Sequence, residues 1–287
     1  MGWAQGRDTP LTEGWKSAQA AKWSTAMRFY RARSAVKSCL PAGVYEILRT
    51  LRKHAIRRSP DLEIYQACTR GKSGIEIGGP SALFKTRLPL YEVIDSLDSV
   101  NFSGSTIWEG TIQEGKTFNF RPNRVGRQFV SDGTALDQIH SGFYDFVLSS
   151  NCLEHIANPI KALREWKRIL KPNGCLVLVL PKKESNFDHR RPYTSFNHLM
   201  DDFRNSTTED DLTHLDEVLN LHDLSRDPKA GTVEQFRVRS QNNSQVRALH
   251  HHVFDLGLIC QMLEFCEFRV VNASIMSKCY ITLSQSL

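Results

Sequence analysis

The sequence predicts an α/β fold with a doubly wound, mostly parallel sheet of seven strands. Two observations predict this class. Short apolar runs alternate with amphipathic helical segments from about residue 73 to the end of the chain. Glycines or polar residues follow these runs, where the carboxyl ends of parallel strands would lie. The last two runs are close together, so we expect an antiparallel final strand at the sheet edge.

Each predicted element has its own signal. The first strand is the buried run Gly74–Gly79, whose glycines end it at a tight turn. Further strands are expected at 95–102, 127–131, 144–150, 175–180, 267–273 and 278–284. A helix begins near Pro159 and ends before the Pro-Asn-Gly turn at 172–174, and another helix spans 254–265.

The chain is expected to divide into a basic arm and a larger domain. The arm, residues 1–62, reads as helical, and between Arg7 and Arg58 it holds twelve lysines and arginines against three acids. Such an arm could contact nucleic acid, an anionic membrane surface or only water, and the solvated interpretation is favoured. The larger domain, residues 63–287, carries an insertion at 182–252 after the fifth strand, long enough to predict a cap over a binding site.

Composition excludes several classes. Seven cysteines without a Cys-x-x-Cys pair argue against a disulfide framework and a zinc ribbon. No apolar run approaches the roughly 20 residues of a transmembrane segment, and the N-terminus lacks the pattern of a signal peptide. We therefore expect a cytoplasmic protein with reduced thiols, and a homodimer is possible.

Residues with binding chemistry follow four of the predicted strands, so we expect them to line one crevice. After the first strand, glycines allow close backbone approach to a ligand, a carboxylate can accept hydrogen bonds, and proline and serine suit a helix start. These residues are Glu76, Gly78, Gly79, Pro80 and Ser81.

The other three strand ends supply acids and polar groups. Asp98 lies about twenty residues beyond the glycines, the spacing at which doubly wound folds place an acid on ribose hydroxyls, with Asp95 as the competing candidate. Asp132 and Gly133 follow the third strand, where an acid can accept from an adenine amino group. The fourth strand ends in a further pair, Ser150 and Asn151.

Segments 144–159 and 170–181 resemble S-adenosylmethionine-dependent class I methyltransferases of the ubiquinone-biosynthesis type, and the resemblance covers roughly residues 73–181 and, weakly, the last thirty residues. It implies a Rossmann-like fold and S-adenosylmethionine as cofactor, held by Glu76, Gly78, Gly79, Asp98, Asp132 and Asn151. The family's glycine pattern is broken here, because Pro80 and Ala82 stand at its second and third glycines. A dehydrogenase is disfavoured, since no Gly-x-Gly-x-x-Gly fingerprint occurs.

Histidines are the candidate catalytic bases, because imidazole suits proton removal from a hydroxyl near neutral pH. Seven of the ten histidines fall between Pro181 and Phe254. We single out His155 after the fourth strand, His189, and His251 as one member of the triplet 250–252; a structural role is the alternative for each. Arg190 and Arg191 could hold an acidic substrate group or pair with acids nearby.

A metal site is not expected. The histidine triplet, His214 and the acids at 209–211 include ligand types, but adjacent histidines point in different directions and no His-x-x-x-His pair occurs. No metal ligands are therefore assigned, and whether the histidine-rich insertion binds a metal stays open. The predicted function is methyl transfer from S-adenosylmethionine to a small molecule, at oxygen of a sugar or secondary metabolite, in class EC 2.1.1. The alternatives are a nucleic-acid methyltransferase that uses the basic arm, which is not favoured, and a non-catalytic cofactor-binding protein.

Overall fold

The computed structural model describes residues 59–287, so all but the last four residues of the predicted basic arm lie outside it. In chain order the helices and strands are α1 Leu62–Thr69, β1 Ser73–Ile77, α2 Ala82–Lys85, β2 Ser96–Asn101, β3 Ser105–Thr106, β4 Gly110–Thr111, β5 Gly115–Arg121, β6 Arg124–Val130, β7 Tyr144–Ser150, α3 Pro159–Ile169, β8 Leu170–Pro181, α4 Phe196–Asn205, α5 Leu215–Leu221, α6 Val233–Gln241, α7 Asn243–Val246, α8 Leu256–Phe265, β9 Phe268–Met276 and β10 Cys279–Ser286.

The main sheet confirms the predicted α/β class. Its strand order is β5-β6-β2-β1-β7-β8-β10-β9, and the five central strands from β6 to β8 are parallel. Strand β10 runs antiparallel to both its neighbours and lies between β8 and β9, so β9 forms the edge. The arrangement is a Rossmann-like sheet whose last strands form the expected antiparallel hairpin.

The strand count corrects the prediction, because the main sheet has eight strands instead of seven. The additional strand, β5, pairs antiparallel with β6 through a turn in which Asn123 has a φ of 60°. Only Phe118 and Phe120 of β5 are buried. This edge strand therefore lacks the continuous apolar run that marks the central strands.

Apolar side chains cover both faces of the sheet. One face packs against α3 and α8 through residues such as Trp166 and Ile259, and the other packs against α1 through Tyr65. Helix α3 begins as predicted: Pro159 is its first residue, and the Asn158 side chain accepts from the Lys161 amide at 3.0 Å. None of the helices within 59–287 has the length and apolarity to span a membrane.

The insertion at 182–252, which we call the cap, has a small core of its own. Val218, Ala230, Phe236 and Leu249 pack together in it. Arg191 is 1% exposed and joins distant parts of the cap, donating to the Glu217 carboxylate and to backbone carbonyls at 250 and 251. A buried guanidinium with this many acceptors fixes the path of the cap's last segment.

Candidate active site

A cavity of about 690 Å³ lies at the carboxyl ends of β1, β2, β6 and β7. Its floor includes Gly78, Asn101, Ser131 and Asn151 from these strand ends, and Phe187 is among the cap residues that line it. Strand β1 lies between β2 and β7, where the strand order reverses and doubly wound folds bind ligands. The volume is in the range of small-molecule and cofactor sites.

The loop after β1 fits against the floor through its glycines. Gly78 has a φ of +79°, and a Cβ atom there would lie 2.8 Å from the Cys152 sulfur. Pro80 and Ser81 line the cavity, and the Ser81 hydroxyl accepts from the Leu83 amide at the start of α2. Gly79 is not among the lining residues; a Cβ there would lie 2.5 Å from the Glu76 carboxylate.

Glu76 differs from its predicted role, since it lies beneath this loop and does not line the cavity. Its carboxylate accepts from the Ser81 amide at 3.0 Å and from the Tyr91 hydroxyl. Burial raises the pKa of Glu76 to about 7, although the two hydrogen bonds oppose the shift. The geometry makes Glu76 a support of the loop.

Asp98 also lies away from the cavity, so the structure does not bring this predicted ribose-binding residue to the lining residues. It is the third residue of β2, and its carboxylate accepts from the Arg127 amide and the Tyr144 hydroxyl, both at 2.7 Å. Asp95, the alternative, precedes the strand. The strand continues to Asn101, which lines the cavity. The acidic residue Glu109, between β3 and β4, also lines the cavity.

Asp132 binds the cap and is not a lining residue. Its carboxylate accepts from the Thr134 amide at 2.7 Å and from the Arg247 guanidinium at 2.5 Å. Burial opposes ionisation, but the Arg247 charge keeps the pKa of Asp132 below its ordinary value. Gly133 is a lining residue of the cavity. Arg247 also lines the cavity, and its guanidinium lies 4.8 Å from the centre of the Phe102 ring.

The end of β7 brings both of its predicted residues to the cavity. Ser150 and Asn151 both line the cavity, and Asn151 has a φ of 49°. The Ser150 hydroxyl oxygen is buried and has no hydrogen-bond partner among residues 59–287. An orphaned hydroxyl at a cavity wall is suited to a ligand that supplies the missing partner.

His155 is the predicted histidine that the cavity contains. Its Nδ1 lies 3.2 Å from the Leu249 carbonyl oxygen, and its ring stands 5.1 Å from Trp108 and 4.5 Å from His250. A carbonyl can only accept, so Nδ1 carries the proton and Nε2 has the free lone pair. Burial holds the pKa of His155 well below its ordinary value, which keeps this ring neutral.

His250 is the second histidine on the cavity wall, and the sequence did not single it out. Its Nδ1 lies 2.5 Å from the Asp188 carboxylate, which also pairs with Arg191 at 3.1 Å. Burial opposes protonation, but Asp188 raises the pKa of His250 above its ordinary value. Glu154 lines the cavity nearby; burial raises its pKa to about 7, and its Oε2 has no hydrogen-bond partner within the described chain.

The other two predicted catalytic histidines do not line the cavity. His189 lies 2.9 Å from the Asp223 carboxylate through Nε2. His251 is 1% exposed, its Nε2 lies 3.0 Å from the Asn243 side-chain nitrogen, and burial lowers its pKa to about 3. Both are structural members of the cap.

Sequence comparison identifies the family of the chain. A Rossmann-like sheet with a crevice at its switch point is the arrangement in which α/β proteins commonly bind nucleotide-type cofactors. A family model described as "Methyltransferase domain" matches residues 49–225, which is more than half of the chain. The chain belongs to this methyltransferase family. No curated protein sequence matches it significantly.

Solved structures of low identity resemble the chain. A SAM-dependent methyltransferase from Methanosarcina mazei is 15% identical, with 80% of this chain and 99% of that chain covered and a TM-score of 0.47. An S-adenosylmethionine dependent methyltransferase from Mesorhizobium loti is 11% identical, with 79% of this chain and 96% of that chain covered and a TM-score of 0.46. The 1,6-didemethyltoxoflavin-N1-methyltransferase from Burkholderia thailandensis, solved with S-adenosylhomocysteine, is 10% identical. The match covers 98% of this chain and 93% of that chain, with a TM-score of 0.44.

Proposed function

We propose that the protein transfers the methyl group of S-adenosylmethionine to an oxygen atom of a small molecule, a sugar or a secondary metabolite. One observation carries the proposal: a cavity at the switch point of a methyltransferase fold has a histidine with a free Nε2 on its wall and is covered by the cap. A partly covered cavity of this size can hold two reactants together and limit the access of water, which are the main requirements of methyl transfer.

The cofactor half of the cavity is the floor. Gly78 and Gly133 present backbone without side chains, while Ser150, Asn151 and Glu109 offer hydroxyl, amide and carboxylate groups to an adenosyl ligand. When bound, S-adenosylmethionine supplies an electrophilic methyl group on a sulfonium. The residues of the floor fix its position relative to the wall on which His155 stands.

The base is His155, positioned by its backbone contact. As the acceptor hydroxyl attacks the methyl carbon, its proton passes to His155 Nε2, the new oxygen–carbon bond forms, and the electron pair of the breaking carbon–sulfur bond stays on sulfur. His250 stands beside it with Nδ1 on Asp188, a contact that favours the protonated form of this ring and leaves His155 as the base.

The outer wall of the cavity favours a polar acceptor with a negative group. Lys229 and Arg239 of the cap line it together with Lys278 of the turn between β9 and β10, and the cap residue Asp227 pairs with Arg239 at 3.3 Å. Neither lysine forms a salt bridge within residues 59–287. A small molecule with a carboxylate or phosphate group complements this wall.

The proposal is tested with purified full-length protein and S-adenosylmethionine carrying a labelled methyl group. Label should enter the small-molecule fraction of a cell extract, in a product that resists the acid and base treatments that cleave esters. His155→Ala should lower kcat by about 100-fold or more, the ordinary worth of a general base, with unchanged affinity for S-adenosylhomocysteine. The exposed His140→Ala is the matched control.

Three results would contradict the proposal: no measurable affinity for S-adenosylhomocysteine, full turnover in His155→Ala, or label that enters only RNA or DNA. The last result would favour the nucleic-acid alternative, and binding that weakens steeply with salt would accompany it.

A further inference from the structure

A second cluster of histidines lies in the cap, apart from the cavity. His198 of α4, His214 at the start of α5 and His252 at the end of the cap each place one ring nitrogen within 4.8 Å of the other two. None of the three lines the cavity. Asp202, one helical turn after His198, lies beside this cluster, with its carboxylate close to His198 and His252.

The ring nitrogens of the three histidines lie near the spacing of ligands around one metal ion. His198 Nε2 lies 2.9 Å from His214 Nε2, and the three ligand atoms all lie within 4.8 Å of one another. A tetrahedral ion with bonds of about 2.0–2.1 Å to nitrogen and oxygen holds its ligands about 3.3–3.4 Å apart.

Protein hydrogen bonds leave this cluster incomplete. Asp202 Oδ2 and His252 Nδ1 are buried and have no hydrogen-bond partner among the residues the structure describes. His252 is 1% exposed, and its Nε2 lies 3.1 Å from the Ala157 carbonyl, so the proton is on Nε2 and Nδ1 has a free lone pair. Two buried acceptors without donors cost a few kcal/mol together unless a cation binds them.

We propose that His198, His214 and His252 form a metal site for one zinc ion. Three imidazoles suit zinc with a water molecule as its fourth ligand, and the hard cations that prefer an all-oxygen shell are disfavoured. The Ala157 carbonyl supplies an outer partner that orients His252 through Nε2, as second-shell groups do in metal sites.

The site would tie the cap to the domain at a useful place. Its ligands come from the first helix of the cap, the start of its second helix and its last residue, so one ion would close two long loops. Ala157 and Asn158 connect the β7 end with α3, and Asn158 donates to the Asp202 carbonyl at 2.9 Å. The ion would thus hold the cap beside the segment that carries His155.

The test is the metal content of full-length protein purified from cells grown with zinc. We expect about one zinc per chain by mass spectrometry, and after exchange to cobalt(II) the visible absorption of a tetrahedral site. His198→Ala and His214→Ala should each lose the zinc, while the exposed His140→Ala keeps it. Retained S-adenosylhomocysteine binding, with circular dichroism, shows that the variants are folded.

A chelator should lower the melting temperature of the unmodified protein and leave that of His214→Ala unchanged, because only the former has an ion to lose. Wild-type protein that holds no zinc and takes up none on titration overturns the proposal. Zinc retained by the double variant of His198 and His214 also overturns it. So does zinc lost only in Glu154→Gln, which would place the ion at the cavity cluster of Glu154, His155 and His250, the other group with metal-ligand spacing.

Discussion

The carboxylate beneath the cofactor loop makes the stability of the protein depend on pH. Glu76 is fully buried and accepts from the Ser81 amide and the Tyr91 hydroxyl. Replacing it with glutamine keeps an oxygen for the Ser81 amide and offers Tyr91 a neutral group of the same shape. Lys85 and Glu109, the other charges that act on this site, are unchanged.

The size of the effect follows from the pKa of Glu76, which burial raises from 4.5 to about 7. A carboxyl group with a raised pKa in the folded state favours folding while it is protonated. Its ionisation therefore costs stability progressively from the unfolded pKa up to the folded one. From about pH 5 to about pH 8 the cost amounts to about 2.5 kcal/mol, at 1.36 kcal/mol per pKa unit.

Denaturant unfolding of wild-type protein and Glu76→Gln at both pH values measures this quantity. The difference in unfolding free energy between the two proteins should shift by about 2–3 kcal/mol in favour of the variant as pH rises. Taking the difference cancels other titrating groups, such as Glu154. Exposed Glu63→Gln serves as the control and should show no such shift. A constant difference across this range would refute a buried, proton-holding Glu76.

Three further predictions concern Asp98, the floor and the cap. Asp98→Asn should leave S-adenosylhomocysteine affinity unchanged by calorimetry and lower the unfolding free energy by about 1 kcal/mol, because it weakens the partly exposed hydrogen bonds from the Arg127 amide and the Tyr144 hydroxyl; a tenfold loss of affinity would return this residue to the cofactor site. Gly78→Ala should destabilise the protein by at least about 1 kcal/mol and weaken cofactor binding, since its Cβ would meet Cys152 at positive φ; normal affinity would show that the loop adapts. Arg247→Met should weaken cofactor affinity by freeing Asp132 and loosening the cap, and proteolysis should cut the cap faster; unchanged rates would show that other contacts close it.

The central strands and α3 could be predicted because their signals are local. A run such as 175–180 is apolar throughout, and Pro159 with Asn158 marks a helix start in any context. Strand β5 escaped detection because it is an edge strand with two inward side chains. The spacing from the glycines indicated Asp98, although the predicted strand at 95–102 runs past it; in the structure Asp98 is the third residue of a strand that ends at Asn101.

Only part of the floor could be predicted from strand ends, whereas Glu109 on the floor and the residues of the walls could not. Glu109 belongs to a turn without sequence periodicity, and only the fold brings it to the cavity. His250 was overlooked in favour of His251 because neighbouring residues of an irregular segment give no sign of direction. His250 pairs with Asp188, more than sixty positions away, and this contact orients its ring. A partner so distant in sequence cannot be predicted from composition or local pattern.

The three consecutive histidines at the end of the cap have three separate surroundings. His250 belongs to the cavity, His251 contacts Asn243 in the interior of the cap, and His252 faces Ala157. Inserting or deleting one amino acid just before this triplet would shift each ring toward the position of its neighbour. A change in register by one residue would therefore disturb the cavity, the interior of the cap and the contact with Ala157 together.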